Sequence, residues 1–319
     1  MTEFSLPAAI RHRVSRGHYI PLAIRLAAAA AIAIYALSTP GFLTPLCVNA
    51  LLTAISFVGC VAVGMTFITL TGNIMSLALG ATVSASALIF LACSSFGIPL
   101  AFLAALLFGV IVTGAQGFLV GHFRANPILV SVAALSLLLG AAAFATGGHR
   151  IYPNGAGLEI FKGRFAGIPI DAWCFFLTVA AGQFVLSWTR IGRLMTMVGS
   201  NIRAATAAGV PTTATVTAAY VIAGACAAIS GVLLAARYGS GDMEVGAGYD
   251  YTAIAAVLVG GTGIAGGSGS TVRTLVGIVV IAVIEVVLLL RGYSEQLQYL
   301  ITGLLVLCVI MLHSLGERR

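Results

Sequence analysis

Charge is what this sequence has least of. Only 8% of its 319 residues are Asp, Glu, Lys or Arg, and none occurs from Leu26 to Phe123. A soluble domain carries about 25% charged residues to cover its surface. Sixteen basic and nine acidic side chains cannot solvate a chain of this size, so most of its surface faces lipid. There is one lysine, Lys162, and no G-x-x-x-x-G-K-[ST] stretch, which excludes a P-loop. The six cysteines (Cys47, Cys60, Cys93, Cys174, Cys226 and Cys308) never form C-x-x-C. They read as small buried hydrophobes rather than metal ligands or disulfides. No H-E-x-x-H or other ligand spacing joins the histidines, and no polar/apolar alternation marks a membrane β-barrel.

What the chain does have is hydrophobic residues, at 60% of positions, with mean hydropathy +1.09. Polar and glycine breaks divide it into ten apolar segments. They lie near 20–37, 48–70, 74–93, 99–120, 128–146, 173–188, 213–235, 251–260, 272–290 and 297–313. About 20 apolar residues cross a bilayer as a helix. The fold expected is all-α: a polytopic membrane protein of about ten transmembrane helices, forming one transmembrane domain over 20–313. A basic segment, 1–19, precedes it and a tail, 314–319, follows. The run 20–37 lacks a small-x-small cleavage site and reads as the first span, not a signal peptide. The segment 251–260 is too short to cross and is expected to be broken or re-entrant, tolerated only where protein or a water-filled cavity covers it.

The net charge of +7 reads as membrane topology rather than as a nucleic-acid partner. With both termini inside, ten arginines fall on the cytoplasmic side: Arg11, Arg13, Arg16, Arg124, Arg190, Arg193, Arg203, Arg273, Arg318 and Arg319. Five basic residues fall outside: Arg150, Lys162, Arg164, Arg237 and Arg291. The positive-inside rule then selects N-in and C-in. This places an outer loop near 147–172 and a cytoplasmic loop near 189–212. The latter holds a short helix-forming stretch, 201–208, with Asn201 as N-cap and Gly209 as stop. Spacing alone leaves open whether that helix is a connection or a docking element.

A glycine-rich stretch, 260–270, spells G-x-G-x-x-G at Gly261, Gly263 and Gly266, with Glu285 nineteen residues further on. A dinucleotide fingerprint needs a strand before it and a helix straight after it, within a sheet covered on both faces. Here GSGS follows, and Glu285 sits in the apolar run IVVIAVIEVVLLL. The same stretch spells G-x-S-G at 266–269, but the only histidine downstream is His313, so no base stands ready to activate a serine nucleophile. Gly260, Gly261, Thr262, Gly266 and Gly267 therefore read as a helix break that lets backbones approach closely. Ion-coupled carriers keep ionisable groups within the bilayer; here Glu285 alone qualifies. A transporter with neither ion machinery nor a nucleotide site calls for a partner that supplies energy.

Three stretches, AVGMTFITLTGNI, TRIGRLMTMVGSNIRAATAAGV and GAGYDYTAIAAVLVGGTGIAGGSGS, resemble the permease subunits of bacterial ABC importers of the ribose/xylose/autoinducer-2 type. The resemblance runs in order over nearly the whole chain. It implies a ten-helix subunit of the inner membrane, paired with a second copy or a paralogous permease. It also implies a separate ABC ATP-binding subunit that holds ATP and Mg, so that this chain needs no cofactor, and a periplasmic or lipid-anchored solute-binding protein. By the same resemblance Gly199, Asn201, Arg203, Ala204, Gly209 and Val210 belong to a helix docking on the ATPase. The solute implied is small and polar, a monosaccharide in the first place. A nucleoside or branched-chain amino acid is the alternative, and a stand-alone carrier using Glu285 the alternative of another class. Two positions depart from the family pattern: Met75 stands where an Asp is usual, and Ile202 where a Glu is usual. The outer residues Asp242 and Glu244, with Glu159, Lys162, Arg164 and Asp171, carry the mixed charge of a transient docking surface for the binding protein.

Overall fold

A computed structural model of the chain describes residues 38–73, 75–153, 161, 163–263, 265–294, 296–298, 300–304, 307 and 311. The segment 1–19, the first expected span, the tail 314–319 and the residues Glu159, Lys162 and Glu295 lie outside the described residues, as does much of the last expected span. The chain divides into two units, one of residues 48–282 and one of the two ends, 1–47 and 283–319.

The helices include α1 (Pro45–Leu70), α2 (Leu79–Ala92), α3 (Ile98–Phe123), α4 (Pro127–Thr146), α5 (Ile170–Trp188), α6 (Arg190–Ser200), α7 (Ile202–Ala207), α8 (Thr212–Tyr238), α9 (Tyr249–Val259) and α10 (Thr271–Leu290). Six of them, α1, α3, α4, α5, α8 and α10, are long and apolar enough to cross a membrane, while α2 and α9 are shorter apolar helices. The protein is a polytopic helical membrane protein. Helix starts follow elementary capping chemistry. Asn126 accepts a bond from the Ile128 N–H at 2.9 Å, with Pro127 in the first helical position of α4. Gly147 and Gly239, in left-handed conformation, close α4 and α8.

In the unit of residues 48–282, α8 is the central helix. Its antiparallel partner α3 presents small residues at every fourth position: Ala101, Ala105, Gly109, Thr113 and Gly117 are all buried. Gly109 lies against Gly224 and Ala228, Gly117 against Tyr220 and Thr217, and Gly121 against Thr213. The Thr213 hydroxyl donates to the Gly121 carbonyl at 3.1 Å. Lipid tails are as apolar as leucine, so burial of apolar area does not drive helices together within a bilayer. Close backbone approach through a small-residue stripe does. On another face of α8, Ser230 donates to the Phe57 carbonyl of α1 at 2.7 Å. In the unit of the chain ends, the Thr44 hydroxyl donates to Gly41 O at 2.7 Å ahead of α1, and Arg291 reaches Thr39 at 3.5 Å. Glu285 is half-buried in the last third of α10.

One pattern occurs twice. A long helix (α1, 26 residues; α8, 27 residues) ends in a break, after Leu70 or after Tyr238, and a short apolar helix follows (α2, 14 residues; α9, 11 residues). The two long helices run antiparallel, since Phe57 meets Ser230 while Gly64 meets Ala223 and Cys226.

Three boundaries differ from those expected of the sequence. The segment expected from 74 becomes helical only at Leu79, because Gly72 turns with φ +77° and the Asn73 amide bonds Thr71 at 2.9 Å. The segment expected from 173 begins at Ile170, directly after a hairpin of β1 (Arg164–Phe165) and β2 (Ile168–Pro169). Its two-residue turn, Ala166–Gly167, has φ of 52° and 80°, both positive as a type I′ turn requires. The loop 189–212, finally, holds two helices rather than one.

Candidate functional site

The loop 189–212 is built from two capped helices. Thr189 opens α6 by accepting the Gly192 N–H at 3.2 Å. Gly192, Met195 and Val198 form its buried face, while Arg190 and Arg193 are exposed. Asn201 then breaks the helix in extended conformation and caps α7, its side chain accepting the Ala204 N–H at 3.0 Å. At the far end the Gly209 N–H bonds Thr206 O and the Val210 N–H bonds Ala205 O, both at 3.0 Å, with Gly209 at φ +77°. This double closure needs a left-handed residue at Gly209. Of α7 only Ala205 is buried; Ile202, Arg203 and Ala204 all face outward. The loop therefore offers a short, rigidly capped helix with one exposed cation.

What α6 and α7 rest on could not be seen from spacing. Gly199, one residue before the end of α6, touches backbone on two sides: a β-carbon there would strike Leu70 O and lie 2.5 Å from the Gly267 nitrogen. A β-carbon on Gly72 would lie 3.3 Å from the Gly199 backbone, and one on Gly266 would strike Gly72. The Gly267 N–H donates to Leu70 O at 2.9 Å. Three breaks, after α1, after α6 and after α9, thus meet at one all-glycine junction. The stretch 260–270 itself opens with a second double closure. Gly261 (φ +84°) bonds Leu258 O, and Thr262 bonds Val257 O at 3.1 Å. Gly260 lies against the Arg273 carbonyl and Gly277 against Ala256, which brings α9 and α10 together as antiparallel neighbours. Helix precedes these glycines, and the next helix starts only at Thr271. The phosphate-cradling geometry of a dinucleotide fold is not formed here.

At the opposite ends of α5 and α8 lies a second cluster. Ile151 and Gly241 exchange both backbone bonds at 2.9 Å, and Arg150 pairs with Asp242 at 2.9 Å. The other Asp242 oxygen accepts the Glu244 N–H at 3.0 Å. Asp242 therefore ties Arg150, just beyond α4, to the segment 239–248, while Glu244 stands exposed. Asp171, which the sequence groups with the outer rim, is fully buried 3.6 Å from Arg237 and joins the start of α5 to the end of α8. Arg164 remains on the surface. Asp250 is buried too: its carboxylate accepts the Gly80 N–H at 2.6 Å, at the start of α2. An anion suits that position because the first amides of a helix have no partner within it. Only the first-turn position of Asp250 in GYDYTAIAAV could have hinted at it.

The comparisons with known proteins agree with this architecture. The chain is 31% identical over 286 residues to the ribose import permease protein RbsC of Bacillus subtilis (strain 168), covering 88% of each chain. It is 27% identical over 296 residues to the protein of the same name from Haemophilus influenzae, covering 90% of this chain and 91% of that one. It is 28% identical over 271 residues to the autoinducer 2 import system permease protein LsrD of Escherichia coli (strain K12), covering 82% of each. No solved structure matches the chain. Residues 47–310, which hold the glycine junction, both capped helices of the loop and the segment 239–248, match one family throughout, and the chain belongs to it: the branched-chain amino acid transport system / permease component family.

Proposed function

We propose that this chain is the membrane-spanning subunit of an ATP-driven importer of the bacterial inner membrane, moving a small polar solute of the monosaccharide class inward. ATP and Mg are bound and turned over on a separate ABC subunit. The permease pairs with a second copy or a paralogous permease, and a periplasmic or lipid-anchored binding protein delivers the solute. The subunit crosses the membrane about ten times, with both ends inside. The observation that carries the reading is the capped, exposed helix α7, seated through Gly199 on the junction of three breaks. A helix held this firmly at its base and bare on its face is built to receive force from a partner. Relatives over most of the length named for ribose and autoinducer 2 import support the solute class.

Co-purification tests the core of the reading. Expressed with neighbouring genes, the chain is expected to bring down an ABC ATPase, and uptake in vesicles is expected to require ATP. Purification alone, with proton-driven uptake abolished by Glu285→Gln, would overturn it in favour of a stand-alone carrier. Direct binding of labelled sugars, nucleosides and branched-chain amino acids to the companion binding protein reads the solute class, and a sugar is the expected ligand.

Arg203 is the exposed charge on α7 and sits at the rim of the surface offered to the ATPase. A rim charge tunes docking and its salt dependence more than folding. Arg203→Glu is therefore expected to lower uptake and ATPase stimulation together, most strongly at low salt, with the membrane level of the subunit unchanged. Equal uptake at low and high salt would remove Arg203 from the docking surface.

A further inference from the structure

The segment 239–248 leaves α8 and returns along α2. Gly241 lies against Leu91 and Leu88, whereas five residues later Gly246 lies against Gly80 and Val83. It is fastened at both ends. On one side are the Arg150–Asp242 ion pair and the Ile151–Gly241 bridge. On the other, the Gly246 N–H donates to the Ser84 hydroxyl at 2.9 Å, and the Asp250 carboxylate accepts the Gly80 N–H at 2.6 Å. The inner fastening is buried and tight, since a β-carbon on Gly80 would sit 2.6 Å from the second Asp250 oxygen.

Gly80 also stands in the first turn of α2, directly after the other break. At the start of that break is Gly72, where a β-carbon would meet the Gly199 backbone at the base of the coupling loop. Contacts therefore run from the segment of the exposed Glu244, through Asp250, to Gly80 at the start of α2, and, at the other end of the same break, from Gly72 to Gly199 and the loop that carries α7. Among the described residues, Asp250 is the charged side chain that links this segment to the start of α2. Truncating a buried, charge-assisted bond of this kind frees both partners at once.

We propose that Asp250 is a positioning residue that joins the outer docking segment 239–248 to the start of α2, so that seating of the solute-loaded binding protein is communicated to the ATPase-facing helix. This rests on the importer reading above. Asp250 touches no solute in this scheme; it holds two segments in register, and the coupling passes through a contiguous set of contacts.

The test uses the assembled complex in lipid and the purified subunit in detergent. In the complex, Asp250→Asn is expected to cut stimulation of ATP hydrolysis by saturating solute-loaded binding protein about tenfold or more. Basal hydrolysis and the affinity of the binding protein for the complex stay as in the wild type. Charge reversal at Glu244 should do the opposite, weakening binding-protein affinity while full stimulation returns at saturation. In the isolated subunit, hydrogen exchange across 79–84 and 239–248 should rise in Asp250→Ala, less in Asp250→Asn, and also in the milder Ser84→Ala, which covers the case in which Asp250→Ala fails to fold. Unchanged exchange in Asp250→Asn and Ser84→Ala would overturn the clamp itself, whatever the partners prove to be. Raised exchange with normal stimulation would overturn its part in communication. Failure of any ATPase to associate would sink the importer reading and leave the exchange measurement still decisive for the clamp.

Discussion

Replacing Gly199 by alanine is expected to reduce uptake to background while the subunit still accumulates in the membrane. The added methyl would meet Leu70 O and the Gly267 nitrogen, and both are backbone atoms that already bond each other at 2.9 Å. No rotamer change relieves such a collision; either α6 lifts off the junction or the Leu70–Gly267 bond opens. Overpacking of this kind costs about 1–3 kcal/mol and sometimes more. That is small beside a whole bundle but large for an element that must sit in one of two arrangements, where about 5.5 kcal/mol reverses a population from 1:99 to 99:1. The damage lands between α7 and the rest of the subunit, so ATPase stimulation is expected to vanish with uptake. Gly209 supplies the comparison. It too lies in the loop 189–212, and its φ is +77°, yet a β-carbon there meets nothing within 4 Å. Gly209→Ala carries only the left-handed strain of roughly 1–2 kcal/mol and is expected to keep most of the activity. Uptake by proteoliposomes, normalised to subunit recovered in the membrane fraction, decides between them. Equal activity in the two variants would show that the junction does not transmit.

How far the sequence could be read follows from which signals are local. The absence of charge over residues 26–123 forces helices into lipid whatever their contacts, and α1, α2 and α3 all fall within it. The Asn201 cap and the Gly209 closure are contained within nine residues, so composition reveals them. The shortness of α9 was equally visible, because the break that follows it is written in glycines. The junction was not. Nothing in the neighbours of Gly72, Gly199 or Gly266 tells that backbones nearly two hundred residues apart converge there. A glycine kept for lack of space looks in sequence like one kept for its φ. Asp171 misled for a related reason. An acid near a helix end reads as a solvated loop charge, and only the arrival of Arg237 makes it a buried partner. The helix α6 was missed because its buried face has three residues, Gly192, Met195 and Val198, and glycine does not register as apolar spacing.

The largest loss of folded protein is expected from Gly224→Leu. Gly224 lies halfway along α8, where a β-carbon would run into the Thr113 hydroxyl and the Gly109 carbonyl of α3. Thr113 has no room to turn aside, since its hydroxyl donates to Gly109 O at 2.7 Å and is itself buried. Leucine would thus force apart the two helices joined by the most extensive small-residue stripe in the subunit. Their separation also strips Gly121 from Thr213 and Gly117 from Tyr220, because all four contacts lie along one antiparallel seam. In lipid, apolar burial does not restore what close packing loses. Several collisions of about 1–3 kcal/mol each approach the roughly 5–15 kcal/mol that holds a typical protein folded. Gly140→Leu is the control. Gly140 sits exposed on α4, and a β-carbon there meets nothing within 4 Å, so it should behave as wild type. Detergent-solubilised subunits, followed by size exclusion and thermal melting, should show a monodisperse peak for Gly140→Leu and aggregate for Gly224→Leu. A wild-type melting temperature for Gly224→Leu would mean that α3 and α8 do not pack through this seam.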